Sequence, residues 1–269
     1  MNNKIPVILF AAALFSVLQP LCAKNTQFEK NVKLRSNGEL YINNIPQVYG
    51  RKSYSSMAVM SMVLRYFDRK ISLNDLVDVF NNTRDDEGIS TELLTALKRN
   101  FSGFSVTRLY TLTRKEADSL VNAYNDAGKK KRSRPAVPET LKEYQKVFRK
   151  MKKRKAEIVF NRERKELLRA TGRMCREYLS AGVPVLWSSM MCFDPDVTMT
   201  GVQTRLVVGY VEKEGRLTDV IYRDSSTKYV DFKRVTIEEF VTMTYELIAV
   251  APQSFKTQEE KLNEVTSRD

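Results

Sequence analysis

The spacing of apolar positions changes about two thirds of the way along the chain, at Ala181-Gly182. Before that point most apolar residues recur every three or four positions, which is typical of amphipathic helices. After it they alternate with polar residues or form short β-branched runs, which are typical of strands. The change predicts an α+β domain with an N-terminal helical lobe and a C-terminal antiparallel sheet.

The segment from Ser55 to Phe67 carries apolar residues almost all round, which indicates a buried central helix. Ser55 and Ser56 offer hydroxyls for its N-cap, and Ser72 offers one for the next helix. Further helices are predicted at 72–80, 91–101, 114–127 and, in pieces, 138–179. A short helix is predicted at 236–243. Strands are predicted at 39–42, 105–112, 183–190, 203–211, 219–223 and 247–250.

The chain of 269 residues, 42% of them hydrophobic, suits one globular domain preceded by a leader. Lys4 precedes an apolar segment, Ile5–Leu18, that is too short to span a bilayer comfortably, and Ala23 offers a small residue for cleavage. We therefore expect a signal peptide over 1–23, an exported domain over 24–256 and a polar tail over 257–269. Export would be to the periplasm or the outside of the cell. A retained membrane anchor is the alternative.

The formal net charge of +13 has a local source. Between Lys129 and Lys155 there are thirteen basic residues and two acids. Such a block is usually a solvated surface, so we expect a basic helical insertion over about 114–170 whose charged part is peripheral to the core. The alternative is a surface for an anionic lipid or polymer. Few aromatic residues are interleaved, so specific nucleic-acid recognition is not expected.

The chain contains no histidine. Histidine is the usual base that takes a proton from a serine or cysteine nucleophile near neutral pH, and it is also the commonest imidazole metal ligand. No phosphate-binding glycine loop, Cys-x-x-Cys pair or carboxylate cluster with metal spacing is present either. We expect neither a metal nor a cofactor.

Three segments occur in an order and spacing that carry a resemblance to a known family. They are Gly50–Phe67, Gly182–Trp187 and Gly201–Tyr210, the last followed by Ile221–Ser225. Together they resemble the papain-like cysteine peptidases of the C39-like group. In that family a Tyr-Cys pair stands at the start of a helix, and a strand leads into the site. The next strand carries Gly-His-x-Arg-Leu, and a further strand ends in Asp-Ser. The resemblance covers about residues 41–252, apart from the basic insertion.

The resemblance implies a papain-like fold and identifies the positions of a peptidase site. The cysteine position falls on Ser55 and the histidine position on Gln203, while Asp224 matches the acid that orients the histidine. Gln47 matches the residue that helps stabilise the oxyanion. Counting from Gln47 with the spacing of papain instead puts Ser53 at the nucleophile position, so both registers stay open.

We therefore expect an exported, catalytically inactive papain-like protein that binds a peptide or protein. Tyr54 and Trp187 are the candidate binding residues, with a core position as the competing interpretation of Trp187. One alternative is a hydrolase that uses Ser55 or Ser53 without histidine, and the other is the basic interaction module described above. The oligomeric state stays open, and so does a disulfide between Cys175 and Cys192.

Overall fold

A single antiparallel sheet with helices packed against it organises the chain. The structure is a computed structural model, and it describes residues 26–50, 54–79, 91–101, 103–127, 141–190, 202–226, 228, 231–257, 260 and 263. The mixture of helices and antiparallel strands confirms the α+β class.

The described helices and strands follow the predicted order. The helices are α1 (Thr26–Glu29), α2 (Ser55–Tyr66), α3 (Leu73–Val79), α4 (Thr91–Asn100), α5 (Arg114–Asp126), α6 (Leu141–Phe148), α7 (Lys153–Glu163), α8 (Lys165–Arg173) and α9 (Ile237–Met243). A π-helical turn (Met174–Tyr178) and a 3-10 turn (Leu179–Ala181) continue α8. The strands are β1 (Val32–Leu34), β2 (Glu39–Ile42), β3 (Phe104–Thr111), β4 (Val185–Ser189), β5 (Gln203–Lys213), β6 (Arg216–Arg223), β7 (Lys233–Thr236) and β8 (Thr244–Pro252).

The sheet draws strands from both halves of the chain. Its hydrogen-bonded order is β1-β2-β5-β4-β8-β3, and β6 pairs with β5 and with β7. The predicted division into an N-terminal helical lobe and a C-terminal sheet is therefore too sharp, because β1, β2 and β3 precede residue 112 and belong to the same sheet. These strands were recognisable individually, but their partners lie far away along the chain.

Strand β5 is the centre of the sheet because it is paired along both edges. Gly209 is aligned with Tyr41 of β2 on one side and with Ile221 of β6 on the other. A Cβ atom at Gly209 would lie 2.2 Å from the carbonyl oxygen of Leu40. Only glycine therefore lets β2 approach β5 this closely.

Helix α2 packs on β5 and forms the centre of the core. All of its residues except Arg65 are buried, which confirms the predicted central helix. Burial of each large aliphatic side chain contributes about 1.5–3 kcal/mol to folding. The predicted cap of the next helix is also confirmed, since Ser72 Oγ accepts from the amide of Asp75 at 3.1 Å. The Asp75 carboxylate accepts from the amide of Ser72 in return, at 2.7 Å.

The basic stretch contributes side chains to the core. Tyr144 and Phe148 of α6 are buried, and the Phe148 ring packs edge-on against Phe160 of α7 with 5.5 Å between centroids. The prediction that Lys129–Lys155 is peripheral is thus wrong for residues 141–155, while residues 129–140 lie outside the described part. The prediction considered only the charge of the segment. A few large apolar residues are enough to join the core when a neighbouring helix supplies the rest of the hydrophobic cluster.

Arg164, between α7 and α8, is buried in spite of its charge. Its guanidinium donates to the carbonyls of Val241 and Thr244, the latter at 2.7 Å, and to the hydroxyl of Tyr110 at 2.7 Å. It also forms an ion pair with Glu116 at 3.2 Å. One side chain therefore joins the α7–α8 junction to β3, α5 and the turn between α9 and β8.

Two further sequence predictions concern the cysteines and the leader. Cys175 is a buried free thiol, and burial raises its pKa to about 12. Cys192 and the predicted leader lie outside the described residues. Within the described ranges, no helix has the length and apolar character needed to cross a bilayer.

Candidate functional site

The candidate site lies where the N-terminus of α2 meets the beginning of β5. Tyr54 is the N-cap residue, and its side chain makes no capping hydrogen bond. Ser55 is the first helical residue, so the prediction that Ser55 or Ser56 caps the helix is wrong. Their hydroxyls bond to the sheet instead of to the exposed amides of the first helical turn.

Buried hydroxyl groups join α2 to the sheet. The amide of Thr204 donates to Ser55 Oγ at 3.3 Å, and the hydroxyls of Thr204 and Ser56 are 2.9 Å apart. Ser188 of β4 completes the group, 3.3 Å from the Thr204 hydroxyl. All four residues are buried. The predicted nucleophile position is therefore part of a packed contact between helix and strand.

Gln203 is the first residue of β5, and its side chain contacts both Arg205 and Asp224. Its Oε1 accepts from Arg205 at 2.7 Å, and its Nε2 donates to Asp224 Oδ2 at a long 3.5 Å. The second carboxylate oxygen of Asp224 accepts from the amide of Ser226 at 2.8 Å. The structure thus brings Asp224 against Gln203, and Ser55 against Thr204, the residue that follows Gln203.

Arg205 is a site residue that sequence reasoning did not single out. Its Nε lies 3.5 Å from Asp224 Oδ2, close enough for an ion pair but not aligned as a hydrogen bond. The guanidinium carbon lies 5.3 Å from the ring of Trp187 and 5.5 Å from that of Tyr222, within the range of cation–π attraction. The pairing of Arg205 with Trp187 across β5 and β4 creates this arrangement. Both residues stand in the matched segments, but only the strand register shows that they meet.

Trp187 is fully buried, and its indole nitrogen donates to Thr244 Oγ1 at 2.9 Å. The prediction that it lines a binding surface is therefore wrong, and its core interpretation is confirmed. Its large ring instead packs beneath Arg205 and against Phe240. Trp187 therefore belongs to the core and holds Arg205 in position from beneath.

Gln47 holds the loop before α2 against the end of β6. Its Nε2 donates to the carbonyl of Asp224 at 3.0 Å, and its Oε1 accepts from Arg223 at 2.8 Å. Burial lowers the pKa of the Arg223 guanidinium, which also donates to the carbonyl of Ile45. These bonds direct the Gln47 amide toward β6. They give it a structural role at the position where the resemblance implies an oxyanion donor.

Gly50 lets the same loop pass directly over α2. Its amide donates to the carbonyl of Ser225 at 2.9 Å, and a Cβ atom here would lie 2.5 Å from the Cβ of Ala58. A larger residue would push the loop away from the helix. Ser53, the alternative nucleophile position, follows this loop and lies outside the described residues.

Three exposed aromatic residues adjoin residues of the buried network: Tyr49 follows Gln47 by two positions, Tyr54 precedes Ser55, and the ring of Phe232 lies 5.6 Å from the guanidinium carbon of Arg223. Tyr49 is 47% exposed, Tyr54 is 37% exposed and Phe232 is 39% exposed. Lys228 Nζ lies 5.7 Å from the ring of Tyr49, and the ring of Phe232 packs against Tyr41. We call Tyr49, Tyr54 and Phe232 the aromatic rim. Its residues come from the two segments, 47–54 and 224–232, that also supply Gln47 and Asp224.

The chemistry available to this arrangement follows from its donors and acceptors. A serine hydroxyl needs a base to become a strong nucleophile, and the amide of Gln203 cannot accept a proton at ordinary pH. The described residues contain no group of three histidine, cysteine or acidic residues placed to hold a metal ion. The arrangement is suited to holding α2, β5 and β6 together and to presenting the rim above them.

Comparisons with protein-family models, with curated proteins and with solved structures find no match for this chain.

Proposed function

We propose that this chain is an exported, C39-like papain-type protein in which peptide binding has replaced peptidase chemistry. The observation that carries the proposal is the placement of the aromatic rim beside a closed hydrogen-bond network. The network occupies the positions of a nucleophile, a base and an orienting acid. The rim supplies the kind of surface that recognises polypeptides.

Loss of chemistry is supported by the partners of the polar groups. Ser55 Oγ accepts from the amide of Thr204, which reduces the electron density available for attack. Gln203 and Arg205 both contact Asp224, so the carboxylate holds an amide and a guanidinium where an active peptidase would hold an imidazole. The chain contains no histidine to supply that imidazole.

Peptide binding is supported by the residue types of the rim. Tyrosine presents a large, rigid contact area with a polar end and loses little conformational entropy on binding, so it is enriched among residues that dominate binding energy. Tyr49 is exposed between Gln47 and Gly50, which both bond to the 224–225 backbone, and Tyr54 is exposed at the N-cap of the buried helix α2. A rim that is already held in place needs little ordering when a ligand binds.

The peptide-binding proposal is tested by panning a library of random peptides on the mature chain, residues 24–269. We expect enriched peptides whose affinity falls about tenfold or more in the variants Y49A and Y54A, because truncating an aromatic anchor removes buried contact area. The matched control is L34A, which truncates an exposed apolar residue on β1, away from the rim. Fluorescence anisotropy with the enriched peptides measures the affinities.

Two results would contradict this proposal. One is a library that yields no enrichment over an uncoated surface. The other is a set of peptides whose affinities fall as much in L34A as in Y49A and Y54A, which would show contact elsewhere.

The hydrolase alternative is tested with a fluorophosphonate probe, which reacts with activated serines. We expect no labelling of the folded mature chain, and the same result in the variant S55A, since no base activates Ser55. Mass spectrometry of the labelled chain identifies any modified residue. Stoichiometric labelling at Ser55 or Ser53 that disappears on unfolding would show an active serine and overturn the proposed loss of chemistry.

A further inference from the structure

We propose that the outward face of α7 is a docking surface for an anionic lipid bilayer. Arg154, Ile158 and Arg162 succeed one another at intervals of four residues and therefore share one face of the helix. All three are exposed, and Ile158 is 65% exposed. This face therefore combines two positive charges with an exposed aliphatic side chain. This inference does not depend on the peptide-binding proposal.

The opposite face of α7 anchors the helix to the core. Ala156, Val159 and Phe160 are buried, and Asn161 donates to the carbonyl of Glu238 at 3.0 Å. Helix α7 therefore presents its outward face from a fixed position. A surface held in this way would lose little conformational freedom on docking.

The charge around the face has one predominant sign. Further exposed basic residues occur along α6, the connection between α6 and α7, and α8: Lys146, Arg149, Lys150, Lys152, Lys165 and Arg169. The exposed acids of the same elements, Glu143, Glu163 and Glu166, are fewer. Glu163 contacts Arg162 at 2.7 Å, and Glu157 faces Lys153 toward α9. An exposed ion pair of this kind contributes little and leaves the positive excess in place.

A bilayer explains both the charge and the aliphatic residue. Anionic headgroups attract clustered lysines and arginines near the membrane surface, and a neighbouring apolar side chain can enter the boundary between headgroups and acyl chains. Single-stranded nucleic acids are bound mainly through phosphate contacts together with aromatic stacking. The large aromatic residues here, Tyr144 and Phe148, are buried and cannot stack on bases. Ile158 therefore favours lipid over a soluble polyanion.

The test uses the mature chain and sedimentation with vesicles of phosphatidylcholine, alone or with about 30% phosphatidylglycerol. We expect binding only to the anionic vesicles, and a steep loss between about 50 mM and about 500 mM NaCl. The double variant R154Q/R162Q should weaken binding about tenfold to thirtyfold, given the contribution of each basic residue at a membrane surface. The variant I158S should weaken it by about tenfold, because the inserted apolar area is lost.

Two matched controls separate the surface from total charge and total hydrophobicity. K213Q/R216Q removes the same charge from the exposed β5–β6 turn, and L34S removes an exposed aliphatic residue from β1. Both should bind like the unmodified chain, and circular dichroism should show that every variant is folded. Equal losses in variants and controls would overturn the proposal. Absence of binding to anionic vesicles would also overturn it. A third contrary result would be that I158S binds the vesicles, and the soluble polyanion heparin, as well as the unmodified chain does, because the surface would then recognise polyanions in general.

Discussion

Replacing Arg164 by methionine should lower the free energy of unfolding by about 3–5 kcal/mol. Methionine fills a similar volume but cannot donate, so the carbonyls of Val241 and Thr244 would lose a buried donor. The hydroxyl of Tyr110 would keep only its bond to Glu116. Glu116 would also lose its ion pair. Urea unfolding followed by circular dichroism measures the change.

The matched control for Arg164 is the variant R162M, which removes an exposed arginine two positions earlier. Its effect should stay within about 0.5 kcal/mol, as is usual at surface sites. The variant R164K should lie between R164M and the unmodified chain, because lysine keeps the charge but cannot reach the separate acceptors with a planar fork. Equal stabilities of R164M and R162M would show that the buried bonds contribute nothing.

Replacing Phe148 by alanine should lower the free energy of unfolding by about 3–5 kcal/mol. The Phe148 ring is buried and lies between Tyr144, with 6.1 Å between centroids, and Phe160. Truncation would remove these contacts and leave a cavity between α6 and α7. Thermal and urea unfolding both report the loss.

The control for Phe148 is I158A, which shortens an exposed aliphatic residue in the same basic region. It should change the free energy of unfolding by no more than about 0.5 kcal/mol. If F148A behaves like I158A, the basic region is peripheral, as its charge pattern alone predicts. A large difference between the two variants would show that α6 belongs to the core.

Local pattern predicted most of the individual elements. Strand β5 and helix α2 were found because one is a β-branched run and the other is apolar on every side, and both signals come from adjacent residues. Pairing could not be obtained in this way. Nothing near Phe104 indicates that β3 lies against β8, so the strand was predicted but its place in the sheet was not.

Buried charge was the main feature of the fold that could not be predicted. Arg164 stands among exposed basic residues of the same type, and its burial depends on acceptors from β3, α9 and β8. Phe148 was underestimated for a similar reason, because its partner Phe160 belongs to the next helix. In both cases the deciding contacts join segments that are separate in sequence.

The site was predicted in outline from the order of its segments. The structure places Asp224 against Gln203, and Ser55 against the residue after Gln203. The direction of each side chain was not available from the same information. Trp187 therefore stayed open between a binding surface and the core, where it lies, and Arg205 was overlooked although it contacts both Gln203 and Asp224.

The position of β8 inside the sheet has a consequence for the order of folding. β8 lies between β3 and β4, and the hydrogen-bonded pair Ser105 and Ala251 is 146 positions apart. The middle of the sheet therefore cannot close until β8 has met β3 across this separation. Domains dominated by such distant pairings fold slowly, because the entropy of closing a long loop is lost before the contacts form.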